Sequence, residues 1–253
     1  MKPVVFIGAG PGAADLITVR GAQRLAAADV VLFDALTDPA LREVAPHARW
    51  IDVGKRGFCD STRQIAINAL LVRHARSGRA VVRLKGGDPS VFGRLEEELQ
   101  ALAEAGIAAE VVPGVTAAIA AAAAAQRPLT RRGSGRSVSL TTAMTKTGEL
   151  QATRSADTEV FYMAGRQLGA LSRRLRQAGW PAETAVLVVS RAGWPNQLAS
   201  DHRVATLAEA GVLHAGRPTV VTVGVGATPI APSLRPIPAA AQGRARQEAP
   251  LQP

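Results

Sequence analysis

The stretch RLKGGDPSVFGR, residues 83–94, follows an apolar run and predicts a strand that ends in a ligand-binding loop. Gly86 and Gly87 lack a Cβ, so the backbone there can approach a bound molecule closely. Asp88 precedes a proline, which favours an extended backbone, and its carboxylate can therefore project into a cleft. An Asp-Pro turn with lysine and arginine on the surface is the alternative interpretation.

Two other glycine-containing loops stand in the same position, directly after predicted strands. They cover residues 8–12 and 54–57, and Asp34 and Thr116 lie at equivalent strand ends. Ligands of open α/β sheets bind beyond the carboxyl ends of the strands. We therefore expect one cleft to collect these loops and side chains.

The loop at 8–12 leaves the type of ligand open. Its surroundings, VVFIGAGPGAADL, fit the relaxed dinucleotide fingerprint G-x-G-x-x-A, and Asp34 lies where a ribose-binding acid is expected. However, Pro11 interrupts the glycines and the helical pattern starts only near Thr18, whereas a dinucleotide fold begins its helix within the loop. A structural turn without a ligand also fits the glycines. The loop at 83–94 has no counterpart in an ordinary NAD-binding domain and argues against the dinucleotide.

Apolar strand patterns alternate with helical patterns along most of the chain, which predicts the α/β class with a largely parallel first sheet. The predicted strands are 4–7, 30–33, 50–53, 80–84, 109–112, 137–142, 159–163, 185–190 and 219–225. The predicted helices are 18–28, 39–44, 62–77, 95–105, 116–125, 168–178 and 204–211. We expect an N-terminal α/β domain at 1–114, a C-terminal α/β domain at 115–226, and a disordered tail at 227–253.

The composition excludes several classes of protein. An apolar share of 47% and a charged share of 20% are ordinary for a globular chain. Apolar runs are too short for a membrane span, which needs about 18 residues, and the N-terminus lacks the layout of a signal peptide. Cys59 is the only cysteine and the histidines have no ligand spacing, so neither a disulfide nor a structural metal is expected. Together these features predict a cytoplasmic protein.

The net charge of +10 has three explanations. Arginine-rich usage can reflect genome composition, a basic cleft can bind a polyanionic small molecule, and a basic protein can bind nucleic acid. The arginines are spread along the chain and few aromatic residues are available to stack on bases. We therefore do not expect nucleic acid as the partner.

Several segments resemble, in order and spacing, the uroporphyrinogen-III C-methyltransferase family of the tetrapyrrole methylase superfamily. They are VVFIGAGPGAADLITVRGAQRL, ADVVLFDAL, VGKRG, INALLV, RAVVRLKGGDPSVFGR, AGIAAEVVPGVTAAIAAAAAAQRPLTRRG and VFYM. The similarity covers about residues 4–226 and is stronger in the first half. RLKGGDPSVFGR is the most specific of these segments.

The resemblance implies two α/β domains with the cofactor in the cleft between them, and a homodimer. It also implies transfer of methyl groups from S-adenosylmethionine to carbons 2 and 7 of uroporphyrinogen III. The products would be S-adenosylhomocysteine and precorrin-2, from which sirohaem and cobalamin are made. The eight carboxylates of this tetrapyrrole make it a polyanionic substrate, consistent with the basic charge.

The resemblance assigns individual residues as well. The family's cofactor contacts fall on Pro11, Gly86, Gly87, Asp88, Val91, Thr116, Ala117, Met163 and Ala192. Its proton acceptor falls on Asp34 and its proton donor on Lys55. A carboxylate suits removal of a proton from the macrocycle, whereas Lys55 can equally bind substrate carboxylates. A loop cap at Asp34 and a solvated cation at Lys55 are the alternatives.

Several positions depart from the family pattern, mostly on the substrate side. The family usually has Arg where this chain has Ala35, Arg131 replaces the histidine of PLTHRG, GRGGEE becomes GRLEEE at 93–98, and Arg191 stands in a usually acidic segment. These changes fall on the substrate side and leave the cofactor residues of the family pattern intact. A methyltransferase for a later precorrin, a nicotinamide or flavin enzyme, and a binding protein without activity therefore remain alternatives.

Overall fold

The computed structural model describes residues 1–54, 61–143 and 149–230, and it divides into two compact units, Met1–Ala117 and Ala118–Pro253. Each unit contains one five-stranded sheet, which confirms the predicted α/β class. The domain boundaries predicted at 114 and 226 stay predictions. Most of the predicted tail at 227–253, and the predicted proton donor Lys55, lie outside the described residues.

The first unit is built on a parallel sheet. Its strands are β1 (Val4–Gly8), β2 (Val30–Phe33), β3 (Arg49–Asp52), β4 (Val81–Lys85) and β5 (Ala109–Val112). They lie in the order β3-β2-β4-β1-β5, and every neighbouring pair is parallel. The carboxyl ends of all these strands therefore lie at one edge of the sheet, as the sequence pattern requires.

Helices cover both faces of this sheet. They are α1 (Val19–Ala26), α2 (Ser61–Arg76) and α3 (Leu95–Glu104), with 3-10 turns at Ala14–Leu16 and Pro39–Val44. Because side chains alternate along a strand, Val4 and Phe6 pack in one cluster with Leu71 of α2 and Leu102 of α3. Ile7, from the same strand, packs in a second cluster on the opposite face. A sheet buried on both faces explains why β1 and β2 read as continuous apolar runs.

The second unit carries a mixed sheet. After α4 (Ala117–Ala124), its strands are β6 (Val138–Thr142), β7 (Thr158–Tyr162), β8 (Ala185–Ser190), β9 (Leu198–Arg203) and β10 (Thr219–Gly224). Their order is β6-β7-β10-β8-β9; β6 and β7 are parallel and the other pairs are antiparallel. Further helices are α5 (Leu168–Gln177) and α6 (Ala210–Leu213), with 3-10 turns at Val204–Glu209 and Val225–Ala227.

Two sequence-based expectations for the second unit were incomplete. Strand β9 was not predicted, because its residues alternate between half-buried and exposed and include polar side chains on both faces. The helix predicted at 204–211 is instead a 3-10 turn followed by the short helix α6. In the described part of the chain, no helix combines the length and the apolar character that a membrane crossing requires.

Candidate functional site

Three glycines pack backbone against backbone where the loops after β1, β4 and β5 meet. A Cβ placed on Gly8 would lie 2.5 Å from the Cα of Gly114 and 2.7 Å from the carbonyl oxygen of Gly87. A Cβ on Gly114 would collide with the same Gly87 oxygen and would lie 2.7 Å from the Cα of Gly8. Glycine is therefore required on steric grounds, and the three loops form one continuous backbone surface.

The loops after β1 and β4 are also joined by hydrogen bonds. The Gly87 N–H donates to the Gly10 carbonyl at 2.7 Å, and the Gly10 N–H donates back at 3.3 Å. Both glycines have a positive φ, +80° and +71°, which other residues rarely adopt. This bridge fixes Pro11, the next residue along the chain, beside the 86–88 loop.

Open space remains on one side of this backbone surface. At Gly87 an added Cβ would meet, among the described residues, only the Cα of Thr116, at 3.9 Å. Gly86, Gly87, Thr116 and Ala117 are all partly accessible. The first unit therefore brings most of the predicted cofactor residues together around accessible backbone at Gly87, which we call the Gly87 cradle.

The carboxylate of Asp88 is engaged by the protein's own backbone. Its Oδ1 accepts from the Ser90 N–H at 2.7 Å and its Oδ2 accepts from the Gly114 N–H at 2.9 Å. The Asp88 carbonyl accepts from the N–H of Val91 at 3.2 Å. The expected projection of this carboxylate into a cleft is thus replaced by a different geometry, in which Asp88 ties the β4 and β5 loops together.

The second half of the RLKGGDPSVFGR segment folds over Lys85. Phe92 and Arg94 have positive φ values of 52° and 55°, and such non-glycine residues often mark functional segments. Between them, a Cβ on Gly93 would lie 3.0 Å from the Cε of Lys85 and 2.5 Å from the carbonyl oxygen of Pro89. The alternative interpretation is right about the Asp-Pro turn, since the N–H groups of Ser90 and Val91 both donate to Asp88. It is wrong about the surface placement of the charges that precede the turn, because Lys85 and Arg83 are each only 2% exposed.

Asp34 follows β2 at the same edge of the sheet. Its Oδ1 accepts from Nη2 of Arg83 at 2.6 Å, and its side chain is 30% exposed. The Asp34 carbonyl accepts from the N–H and the hydroxyl of Thr37, at 3.2 and 2.8 Å, which fixes the backbone. The predicted proton acceptor is therefore held by a buried cation and still reaches the surface.

Glu98 is a buried member of this site that was not predicted. It is fully buried, and it accepts from Nζ of Lys85 at 2.8 Å and from Nε of Arg83 at 3.2 Å. The run of three glutamates at 96–98 suggests a solvated helix start. For Glu98, however, helical spacing predicts burial. Leu95 lies three residues before it and Leu102 four residues after it, on the helix face that packs on the sheet.

The electrostatics of the cluster follow from burial and from these pairs. Burial alone would lower the pKa of Arg83, but the carboxylates of Asp34 and Glu98 more than offset it, so this pKa stands above its ordinary value. Burial, and then the positive charge of Arg83, lower the pKa of Lys85 despite the neighbouring Glu98. Among the described residues, no group of His, Cys, Asp and Glu side chains is placed to hold a metal ion.

Met163 and Ala192 lie in the second unit, at the ends of β7 and β8. Both strands run antiparallel to β10, so their carboxyl ends lie at one end of the sheet. Met163 is 43% exposed and has a φ of +59°, and Ala192 is buried directly after Arg191, whose φ is +52°. Two strained residues at one sheet end are consistent with a binding role for this region, and the contacts of Met163 and Ala192 with the cofactor stay predictions.

The dinucleotide interpretation of the 8–12 loop disagrees with the topology. A dinucleotide-binding sheet has the strand order 3-2-1-4, with β1 beside β2, whereas here β4 lies between them. Helix α1 begins at Val19, well after the glycines, and the Thr18 hydroxyl caps it by accepting from the Gly21 N–H. Asp34 thus does not stand on the strand next to the 8–12 loop.

Comparison with known proteins identifies a family and close relatives. The model of the tetrapyrrole (corrin/porphyrin) methylases matches residues 3–211. A uroporphyrinogen-III C-methyltransferase of Pseudomonas aeruginosa is 44% identical over 198 residues, which are 77% of this chain and 81% of the relative. A crystal structure of uroporphyrin-III C-methyl transferase from Thermus thermophilus, complexed with S-adenyl homocysteine, is similar with a TM-score of 0.77 and 34% identity, covering 88% of this chain and 97% of that one.

Other curated relatives are longer than this chain. A siroheme synthase of Neisseria meningitidis serogroup C is 44% identical over 227 residues, which are 87% of this chain. These residues make up only 47% of the relative. The chain thus spans about half the length of the siroheme synthases it matches.

Proposed function

The chain belongs to the tetrapyrrole methylase family, and from that premise we propose that it converts uroporphyrinogen III to precorrin-2 by methylation at carbons 2 and 7. S-adenosylmethionine is the methyl donor and S-adenosylhomocysteine the second product. The observation that carries the proposal is the Gly87 cradle, where the loops after β1, β4 and β5 meet. The 44% identity to a uroporphyrinogen-III C-methyltransferase supports the choice of reaction.

The Gly87 cradle fits a nucleoside-containing cofactor. A flat ligand can approach the backbone at Gly87, because within the described part of the chain only the Cα of Thr116 lies near that position. The residues proposed to hold it in the first unit are Pro11, Gly86, Gly87, Asp88, Val91, Thr116 and Ala117. Met163 and Ala192 are the proposed contacts from the second unit. Asp88 acts mainly by fixing the loops, since backbone N–H groups already contact both of its carboxylate oxygens.

The sulfonium of the bound cofactor supplies an electrophilic methyl group, so the protein's main task is alignment, which can lower a barrier by about 7–11 kcal/mol. When the new carbon–carbon bond forms, the macrocycle gains one positive charge, which it loses by releasing a proton. We propose that Asp34 accepts this proton, since its carboxylate is partly exposed and fixed by Arg83. Lys55 is proposed as the donor or as a contact to substrate carboxylates.

Anaerobic incubation with uroporphyrinogen III and methyl-labelled S-adenosylmethionine tests the reaction directly. We expect two labelled methyl groups per macrocycle. An Asp34→Asn variant should transfer at least about tenfold more slowly, a typical loss for one acid–base group, with unchanged affinity for S-adenosylhomocysteine. Glu43→Gln, which changes an exposed acid in the same unit, is the matched control. Cofactor binding without transfer to this substrate would favour a later precorrin as the true substrate.

The cofactor assignment has its own test. Asp88→Ala removes both links to Ser90 and Gly114 and should weaken binding of S-adenosylhomocysteine at least about tenfold, measured by calorimetry, because loss of two such bonds costs roughly 1–3 kcal/mol. Glu43→Ala serves as the control. Unchanged affinity in Asp88→Ala, or tight binding of NAD by the wild-type protein, would contradict the assignment of this loop.

We also propose that the active form is a homodimer, which the family resemblance implies. Sedimentation velocity at several protein concentrations tests this proposal, with a mass near twice the chain mass of 26.3 kDa as the expected result. A species of single-chain mass that retains full methyl transfer would contradict it.

A further inference from the structure

Four charged side chains form one connected network beneath the candidate site. Arg83 joins Asp34 at 2.6 Å and Glu98 at 3.2 Å, and Glu98 joins Lys85 at 2.8 Å. The side chains of Arg83, Lys85 and Glu98 are 3%, 2% and 1% exposed, whereas that of Asp34 is 30% exposed. The network therefore runs from the interior to the surface and ends at Asp34.

Stability alone does not account for this network. Removing charges from water is costly, and apolar residues of similar volume often stabilise a core as well as a buried ion pair does. Arg83 and Lys85 also lie two residues apart on β4, so their like charges share one face of the strand. The buried carboxylate of Glu98 compensates both, and with Asp34 the network holds two positive and two negative groups.

Arg83 is held so that little freedom remains in its guanidinium. Its Nη1 donates to the carbonyls of Leu84 and Leu32, at 3.1 and 3.3 Å, and its Nε donates to Glu98. These contacts leave Nη2 to donate to Oδ1 of Asp34. Because the fork of a guanidinium is planar and rigid, fixing Nε and Nη1 also fixes the direction of Nη2.

Glu98 is in turn fixed by three side chains from two elements, β4 and α2. Its Oε1 accepts from Arg83 on β4 and from Nε2 of Gln64 on α2, at 3.1 Å, while its Oε2 accepts from Lys85. Asp34 has one carboxylate oxygen engaged by Arg83; within residues 1–54, 61–143 and 149–230, no donor contacts the other, Oδ2. The network thus sets the orientation of Asp34 and leaves one oxygen at the partly exposed end.

We propose that Glu98 and Arg83 are positioning residues, which orient Asp34 so that its Oδ2 accepts the proton released by the methylated tetrapyrrole. The inference rests on the proposed function. In the balanced step, the ring carbon gives an electron pair to the methyl carbon, the sulfur–methyl bond breaks with its pair left on sulfur, and the macrocyclic cation loses a proton to Asp34. Lys85 neutralises the second oxygen of Glu98 and does not touch the substrate.

A double-mutant cycle in the labelled-methyl assay tests this positioning. Glu98→Gln keeps the shape but removes the charge, and we expect kcat to fall at least tenfold while KM and the affinity for S-adenosylhomocysteine change less than twofold. In an Asp34→Asn background, the same change should cause no further loss. The control is Glu104→Gln, an exposed acid at the far end of α3, which should behave like the wild type.

Two outcomes of the cycle would overturn the inference. One is a further tenfold loss in the double variant, and the other is a parallel loss of kcat and cofactor affinity in Glu98→Gln, as expected for a purely structural role. If Glu98→Gln does not fold, Glu98→Asp replaces it, since the shorter side chain keeps the charge but cannot reach both cations. For Glu98→Asp we expect a smaller loss of kcat that again disappears in the Asp34→Asn background.

A second measurement separates this inference from the proposed function. Arginine-selective ¹⁵N NMR should detect the Nε–H of Arg83 as a slowly exchanging signal in the wild type, and this signal should exchange rapidly in Glu98→Gln. Failure of the wild type to methylate uroporphyrinogen III would overturn the proposed function but leave this result interpretable. An Arg83 signal that is equally protected in both proteins would overturn the positioning role of Glu98 whatever the activity.

Discussion

Gly114 shows how a single missing methyl group determines the geometry of the site. Its backbone φ is not positive, so the constraint comes only from the close approach to Gly87 and Gly8. We predict that Gly114→Ala lowers the free energy of unfolding by about 3 kcal/mol, because a Cβ pressed against rigid backbone can be accommodated only by separating the loops. Urea denaturation followed by circular dichroism measures this change.

Gly78 supplies the matched comparison for that prediction. Its φ is +77° and its Cβ position is open, with no atom of the described residues within 4 Å. Gly78→Ala should therefore cost only the strain of a left-handed alanine, about 1 kcal/mol, and should not affect cofactor affinity. Equal destabilisation by the two substitutions would show that the contact at Gly114 is not limiting.

His214 is a second residue with a measurable consequence. It is fully buried, and its Nδ1 and Nε2 each lie 2.8 Å from a serine hydroxyl, of Ser190 and Ser200 respectively. Burial, followed by the nearby charges of His202 and Arg217, lowers the pKa of His214 below its ordinary value of 6.5. The neutral imidazole suits this position, because one ring nitrogen can donate and the other can accept.

The lowered pKa of His214 predicts how stability depends on pH. Protons bind more tightly to this histidine in the unfolded chain, so its contribution to stability is present above pH 6.5 and is lost as pH falls from there towards the folded pKa. Urea denaturation at about one-unit intervals between roughly pH 5 and 8 should show this fall in the free energy of unfolding. His214→Gln should reduce the slope without removing it, since the pKa of buried His74 is lowered as well. An unchanged slope would contradict the prediction.

Helix α1 depends on the cap at its first turn. The Thr18 hydroxyl oxygen accepts from the Gly21 N–H at 3.1 Å, and its hydrogen is directed to the Pro113 carbonyl at 3.4 Å. Thr18→Ala should lower the free energy of unfolding by about 1 kcal/mol, the usual cost of losing a cap. Thr18→Ser keeps the hydroxyl and should restore most of the loss in the same denaturation experiment. If serine and alanine are equally destabilising, the methyl group rather than the cap is responsible.

The elements that the sequence predicts well are those whose signal is local. Strands β2, β5 and β8 occur at the predicted residues, because buried strands read as short apolar runs between turns. Strand β9 escapes prediction because an edge strand exposed on one side needs no such run. Its pairing with β8 is a long-range property that no pattern within LASDHR reveals.

The same distinction holds for the candidate site. The glycines of the β1 and β4 loops are predictable, since the turn itself demands them. The burial of Arg83 and Lys85 is not, because it depends on Glu98, which comes from a helix that packs on the sheet 13 to 15 residues later. A charged pair on a strand otherwise made of Val and Leu was the available clue, since neither charge is expected in a buried strand without a partner.

For the whole molecule, charge is the property most directly linked to the proposed substrate. The chain carries 30 Lys and Arg against 20 Asp and Glu, a net charge of +10. A tetrapyrrole with eight carboxylates experiences this field before any specific contact forms, and attraction of that kind concentrates an anionic substrate at a basic protein. The buried network at Asp34 contributes little to that field because its charges balance.

This view predicts a selective effect of salt. The Debye length falls from about 10 Å at 0.1 M salt to about 3 Å at 1 M, so KM for uroporphyrinogen III should rise at least about fivefold between roughly 0.05 and 0.5 M sodium chloride. Cofactor affinity should change less than about twofold, because S-adenosylhomocysteine carries almost no net charge and its proposed contacts are largely with backbone. Steady-state kinetics and calorimetry at matched ionic strength measure the two quantities. A KM that stays constant while activity persists would mean that the excess of arginine does not serve substrate binding, and the basic charge would then reflect composition alone.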